Sequence, residues 1–327
     1  MSATRTIPPP ELRIRRVLYP TDFSEETRGA LDLALLWCRH FGAELEALHV
    51  VPLPEQNPVY PSRYASDSAE VWPELEARVL AELETSVPSD GSLGIRVRHV
   101  IGRNRYPATA IARHAVQRDI DLVVMGTHGR RGFRAFLIGS VTEIAMREVT
   151  CPILAVHHRD DEGAPALPTR ILAPIDFSPF ALQTARHARG AAAALGATIT
   201  YLHIVESGRV PEFYASDVAL PSRAESKIRH RAQDAIEALD REAGGSGADS
   251  EVHVVPGDPA EDIVRFADAH AIDLIVIPTH GLNAIDRLLV GSVADKVVRR
   301  ATCPVLILQP YGKQIVEPRP EERATSS

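Results

Sequence analysis

Residues 121–156 read DLVVMGTHGRRGFRAFLIGSVTEIAMREVTCPILAV, and the pattern of this stretch decides the fold. An apolar run, Leu122 to Met125, stops at Gly126. Gly129 follows, and then Gly139 joined to Ser140, giving the spacing G-x2-G-x9-G-S. Beyond it Val141, Ile144 and Ala145 recur at helical spacing, and Cys151-Pro152 opens a second apolar run that ends at Val156. The order is strand, glycine-marked loop, helix start, strand. Glycine permits positive φ and close approach of a ligand. The unpaired N–H groups at a helix start form an anion site, to which Ser140 can add a hydroxyl. The stretch therefore predicts a phosphate cradle.

Outward from the cradle, the chain reads as alternating strands and helices. Residues 15–20 begin the first strand and lead into the turn PTDFS, where Ser24 is placed to cap a helix carrying Ala30, Leu31, Ala34, Leu35 and Cys38 on one face. Residues 45–51 make a second strand. Residues 52–73 look like loop, 73–86 like helix, 95–101 like a strand with one wet face, and 107–117 like a third helix. After a polar, proline-bearing stretch the programme repeats. Asp22 matches Asp176 and His49 matches His203, each 154 residues on; Asp121 matches Asp273 and Cys151 matches Cys303, each 152 on. An offset that drifts by only two residues marks a duplicated domain, too long to be a solenoid unit. The fold class is α/β: two tandem doubly wound domains, each a mostly parallel five-stranded sheet with helices on both faces, Rossmann-like in plan. The first domain spans 14–157, the linker 158–168 and the second domain 169–310, with 1–13 and 311–327 as flexible tails. In such sheets ligands lie beyond the carboxyl ends of the strands at the switch point, where Asp22, Val50 and Gly126 converge.

The glycine spacing, set between DLVVM and VTEIAMREVTCPILAV and present twice, resembles the signature of the universal stress protein family, in its ATP-binding branch. The resemblance covers nearly the whole chain apart from tails and linker. It implies ATP as the ligand, with Mg2+ or Mn2+ as counter-ion. It implies that Asp22 and Asp176 meet the adenosine part and that the backbone at Val50 and Ile204 holds the adenine edge. It places Gly126, Thr127, His128, Gly129, Arg130, Gly139, Ser140 and Val141 in the first cradle, and Gly281, Gly291 and Ser292 in the second. Relatives of this kind resemble dimers joined along the last strand. Residues 152–156 and 304–308 are therefore expected to pair antiparallel as an internal pseudo-dimer, and a further homodimer stays open.

Each residue has a plainer reading as well. Aspartate is common in turns of the kind Asp22 occupies. His49 and His203 fit packed histidines satisfied by a neighbouring carbonyl better than catalytic ones. His128 and His280 lie beside the phosphates, but no paired carboxylate makes them general bases. Arg130, Arg131 and Arg134 serve equally as phosphate contacts or as solvated loop charges. The second half departs from the pattern. Pro278 stands where the first half has Gly126, and Asp286 stands where Arg134 is. Proline fixes φ and carries no N–H, and a carboxylate repels phosphate. The first cradle is accordingly expected to be the tighter.

Composition narrows the rest. The chain has 327 residues and a net charge of -7, which gives no reason to expect nucleic acid, whose binders usually carry a basic face. Its three cysteines make no disulfide framework and suit a reducing compartment. With no signal-like apolar segment at the start and no membrane span, the expected location is cytoplasmic. There is no G-x4-G-K-[ST] pattern, and the first strand does not lead into a G-x-G-x-x-G turn. No catalytic or metal-ligating residue is assigned. The leading function is a regulatory, stress-response module that binds ATP chiefly in its first domain. A slow ATP hydrolase and an interaction module without nucleotide are the alternatives.

Overall fold

The computed structural model describes residues 8–52, 64–127, 138–157, 165–206, 221–245, 250–281 and 290–317. It divides into two compact units, residues 14–166 and residues 1–13 with 167–327.

In the first unit the strands are β1 (Arg16–Pro20), β2 (Glu44–Pro52), β3 (Val97–Asn104), β4 (Leu122–Gly126) and β5 (Ile153–Val156). The helices are α1 (Arg28–Phe41), α2 (Tyr64–Ser86), α3 (Pro107–Gln117) and α4 (Ser140–Glu148). The sheet is parallel throughout, in the order β3-β2-β1-β4-β5. The order reverses between β1 and β4, which fixes the switch point. β4 is wholly buried, as a central strand covered on both faces must be, and that is why its residues read as an unbroken apolar run. Burying each such aliphatic side chain contributes roughly 1.5–3 kcal/mol. Asp121 ties the amino end of this pair, its Oδ2 accepting from the N–H of Arg15 at 2.7 Å and of Arg16 at 2.9 Å.

The second unit repeats the plan with β6 (Arg170–Pro174), β7 (Thr198–Glu206), β8 (Ser250–Gly257), β9 (Leu274–Pro278) and β10 (Val305–Leu308). Its helices are α5 (Ala181–Leu195), α6 (Pro221–Glu242), α7 (Pro259–Ala269) and α8 (Ser292–Arg300). The sheet order is β8-β7-β6-β9-β10, again parallel. Asp273 repeats the clamp of Asp121, accepting from the N–H of Thr169 and Arg170. Helices α1 and α5 both end on a left-handed glycine, Gly42 at φ 65° and Gly196 at φ 69°, a conformation that costs glycine nothing sterically.

Three sequence expectations need correction. Helix α2 begins at Tyr64 and runs through Pro73, so part of the stretch read as loop is helical. Ser24 makes no side-chain cap; its N–H and Oγ both donate to Asp22 Oδ1, at 3.0 and 2.5 Å, so its hydroxyl is committed to the turn. Parts of both tails are built into the second unit. Leu12 bridges Val316 antiparallel, the Arg13 N–H donates to Ile315 O at 2.8 Å, and the Glu317 N–H donates to Glu11 O at 3.1 Å. Arg13 also pairs with Glu317. Leu12, Ile315 and Val316 are buried, and the clasp lies over Gly190 of α5, where an added Cβ would stand 3.0 Å from Val316 and 3.1 Å from Pro10 O. Proline and charge dominate the composition of the tails and hide these three apolar anchors. Residues 1–7 and 318–327 lie outside the described residues.

Candidate functional site

The site lies where β1 and β4 diverge, at their carboxyl ends, and again where β6 and β9 diverge. Asp22 follows β1 and is half-buried, held by Ser24 in an Asx turn. Asp176 follows β6 in the same way, its Oδ1 accepting from the Ser178 N–H at 3.0 Å. The residue after each aspartate is a phenylalanine in left-handed backbone, Phe23 at φ 63° and Phe177 at φ 58°. A bulky side chain rarely adopts that conformation, and strain of this kind gathers at ligand sites. The repeated D-F pair carries this signal, which sequence reasoning missed. Each phenylalanine packs on a histidine of the next strand: Phe23 stacks on His49 at 4.5 Å and Phe177 tilts against His203 at 4.6 Å. Both histidines are tied by Nδ1 to a carbonyl, His49 to Thr21 O at 2.8 Å and His203 to Ile175 O at 2.7 Å. They are packed histidines, as the plainer reading had it, and burial holds His203 below the usual imidazole range. Val50 and Ile204, the next residues, are each 8% exposed.

The two cradles share one construction. The Thr127 N–H donates to Val156 O and the Thr279 N–H to Leu308 O, which carries each chain off its strand. The next glycine then folds back, with the Gly139 N–H donating to Thr127 O and the Gly291 N–H to Thr279 O, both at 2.6 Å. Thr127 and Thr279 are fully buried, so any ligand contact by Thr127 falls to its main chain. Gly139 and Gly291 cap α4 and α8 in extended backbone, φ −63° and −60°, and Gly126 is not among the positive-φ residues. The expectation of left-handed turns at these glycines is therefore corrected. At Gly291 the glycine serves close approach of the chain to itself: a Cβ there would stand 3.1 Å from Thr279 O. Neither helix receives a side-chain cap, whereas Asp258 caps α7 by accepting from the Glu261 N–H. Among the described residues no side chain caps the first turn of α4 or α8, with Ser140 and Ser292 exposed and Val141 half-buried beside them. This arrangement fits an anionic group such as a phosphate.

The halves differ in detail. Thr142 Oγ1 donates to Gly126 O at 2.8 Å, tying α4 to β4 in the first domain. Pro278 takes the position of Gly126 at the end of β9, paired with Leu308, and Ala294 takes that of Thr142, so this tie is lost. His280 is buried, its Nδ1 2.8 Å from Thr279 Oγ1, with Tyr311 edge-on at 5.9 Å; Nε2 has no partner. Tyr311 also meets Phe180 at 5.3 Å, so the chain after β10 covers one side of the second crevice. Neither Tyr311 nor Thr142 was anticipated, since their partners are distant in sequence. His128, Gly129 and Arg130, with Arg131, Arg134 and Asp286, lie outside the described residues. Among the described residues no cluster of His, Cys, Asp or Glu could hold a metal. The three cysteines are buried, and burial pushes the Cys38 thiol up to about 12. No helix among the described residues is long and apolar enough to cross a membrane.

The fold is a duplicated doubly wound α/β domain with a glycine-capped helix N-terminus at the switch point of each copy. The universal stress protein family profile matches residues 13–157 and 168–309, and the chain belongs to that family. A universal stress protein of Mycolicibacterium smegmatis is 26% identical over 90% of this chain and 97% of its own length. One from Methanocaldococcus jannaschii is 31% identical over 44% of this chain and 84% of its own. The crystal structure of a universal stress protein from Archaeoglobus fulgidus covers 91% of this chain and 97% of its own, with a TM-score of 0.62 at 20% identity, a likeness of fold.

Proposed function

We propose that this tandem universal stress protein binds ATP as a regulatory ligand, chiefly in its first domain. The observation that supports the reading most is the N-terminus of α4, capped by Gly139 with no side-chain cap among the described residues, at the switch point shared with Asp22 and Val50. In this reading the Asp22 carboxylate accepts from a ribose hydroxyl and the main chain at Val50 meets the adenine edge. Gly126, Gly129, Gly139, Ser140 and Val141 surround the phosphates, whose Mg2+ or Mn2+ is carried by the nucleotide. His128 and Arg130 stand beside it by sequence position.

The second domain keeps Asp176, Ile204, Gly281, Gly291 and Ser292 but carries Pro278 and Asp286. The loss of one charge-assisted contact costs about 1.5–3 kcal/mol. The second site is therefore at least about tenfold weaker, each 1.4 kcal/mol being a factor of ten. Calorimetric titration with ATP tests the reading: one tight site per chain is expected, abolished by Gly129→Val with the fold intact. Unchanged affinity in that variant, or two equal tight sites, overturns it.

A further inference from the structure

The two cradle glycines of the second domain differ in what fills the space they leave. At Gly291 the nearest neighbour of an added Cβ is main chain, Thr279 O, so the glycine there serves the chain's own path. At Gly281 the volume that a Cβ would take is occupied by Oδ2 of Asp176. A side chain of the same crevice thus lies against the Gly281 backbone, on the side where a Cβ would project. The turn is set for this. Asp176 Oδ1 is held by the Ser178 N–H, which turns Oδ2 toward the cradle, and the left-handed Phe177 fixes the backbone next to it. The serines also differ. Ser24 holds Asp22 Oδ1 through both its N–H and its Oγ. Ser178 Oγ instead accepts from the Phe180 N–H at 3.3 Å.

We infer that Asp176 is the specificity gate of the second crevice: its carboxylate occupies the phosphate position over Gly281 and turns away nucleoside polyphosphates. The proposal rests on the reading of the cradles as phosphate sites, and it gives Asp176 a role opposite to the one its position suggests by analogy with Asp22. A like charge within about 4 Å of a phosphate weakens binding by at least about tenfold at an effective surface dielectric. Steric occupation adds to this. The carboxylate is the one part of the obstruction a single substitution can remove without moving main chain.

The test is ATP titration of the full chain and of Asp176→Asn, Asp176→Ala and Asp22→Ala, counting sites by equilibrium dialysis. Asp176→Asn keeps an acceptor for the Ser178 N–H, so the turn survives, and it replaces a repelling oxygen with a donor. Expected are one tight site in the parent chain, a second site tightened at least about tenfold in both Asp176 variants, and a weakened first site in Asp22→Ala. If the parent binds one ATP tightly and the Asp176 variants leave the second site as weak or weaker, Asp176 is an ordinary ligand contact and the inference falls. If the parent binds no ATP but the Asp176 variants gain one site, the gate stands and the assignment of the first domain falls. No binding in any variant sinks both.

Discussion

Asp240→Ala is the most telling perturbation of the second domain. Asp240 is 1% exposed and accepts from Arg189 Nε at 2.5 Å, Arg189 Nη2 at 2.6 Å, Tyr201 OH at 2.7 Å and Ser250 Oγ at 3.1 Å. Arg189 is 4% exposed, so removing the carboxylate takes two hydrogen bonds from a buried guanidinium and one from each of two hydroxyls. Burial, and then the Asp240 carboxylate, hold the Tyr201 hydroxyl well above its ordinary range, so it stays a donor at every accessible pH. Breaking a buried pair by deleting one partner costs about 3–5 kcal/mol. For a domain of this size each kcal/mol moves Tm by about 2–4 °C, so the second domain's transition should drop by on the order of 10 °C.

The first domain supplies the control. Leu35 stands at the position of Arg189 and Ala47 at that of Tyr201, so the same fold accepts apolar side chains there. Replacing the whole network, with Arg189→Leu, Asp240→Leu and Tyr201→Phe together, should return most of the loss, because no desolvated charge is left behind. Calorimetry on the full chain reads both. A loss under about 1 kcal/mol in Asp240→Ala would falsify the claim that this network carries the domain, since an exposed pair is worth no more than that.

Other expectations follow from the same geometry. His187 is wholly buried, its Nδ1 tied to Gln183 O at 2.8 Å and its Nε2 without a partner, and burial pushes its pKa down to about 4. The unfolded chain then binds the extra proton first, so stability is full above about pH 6.5 and falls toward pH 4, by about 3 kcal/mol in all. His187→Leu, which copies Leu33 of the first domain, should flatten that slope in denaturant titrations at pH 7 and pH 4.5; an unchanged slope contradicts the assignment. Leu12→Ala should lower the stability of the second domain by about 2–3 kcal/mol, because Leu12 is 6% exposed in the clasp; no change in its chemical denaturation would return residues 8–13 to the status of a loose arm. Thr142→Val should cost about 1 kcal/mol and weaken ATP binding, as α4 loses its tie to Gly126 O; affinity equal to the parent's would separate that tie from the site. Spin labels on residues 152–156 and 304–308 read the proposed antiparallel pairing of the last strands, and distances that do not shorten in antiparallel register refute it.

Much of this molecule is legible in its sequence because duplication prints each signal twice. The run Leu122 to Met125, the helix 107–117 opened by Pro107, and the paired glycines Gly42 and Gly196 are local signals, and the structure follows them closely. The placement of Asp22, Val50 and Gly126 at or near strand ends was legible. What was hidden depends on partners far along the chain. The start of α2 at Tyr64 lies in a proline- and serine-bearing stretch whose periodicity is weak. Ser24 had two local options, cap or Asx turn, and spacing alone does not choose between them. The carboxylate of Asp176 over Gly281 joins residues separated by most of a domain. Leu12 has no periodic neighbours, and its partner Val316 stands at the other end of the chain.

That last pairing sets an order on synthesis. Domains fold as units, the N-terminal one first as the chain emerges. Residues 14–157 can complete their sheet early, yet residues 8–13, made before any of them, must wait until Ile315 and Val316 exist. Until then Leu12 and the face of α5 around Gly190 stay uncovered. Closing the clasp thus distinguishes a chain that includes residues 315–317 from one halted before them. A truncation before residue 315 exposes apolar surface, the kind of defect a quality-control protease or chaperone reads.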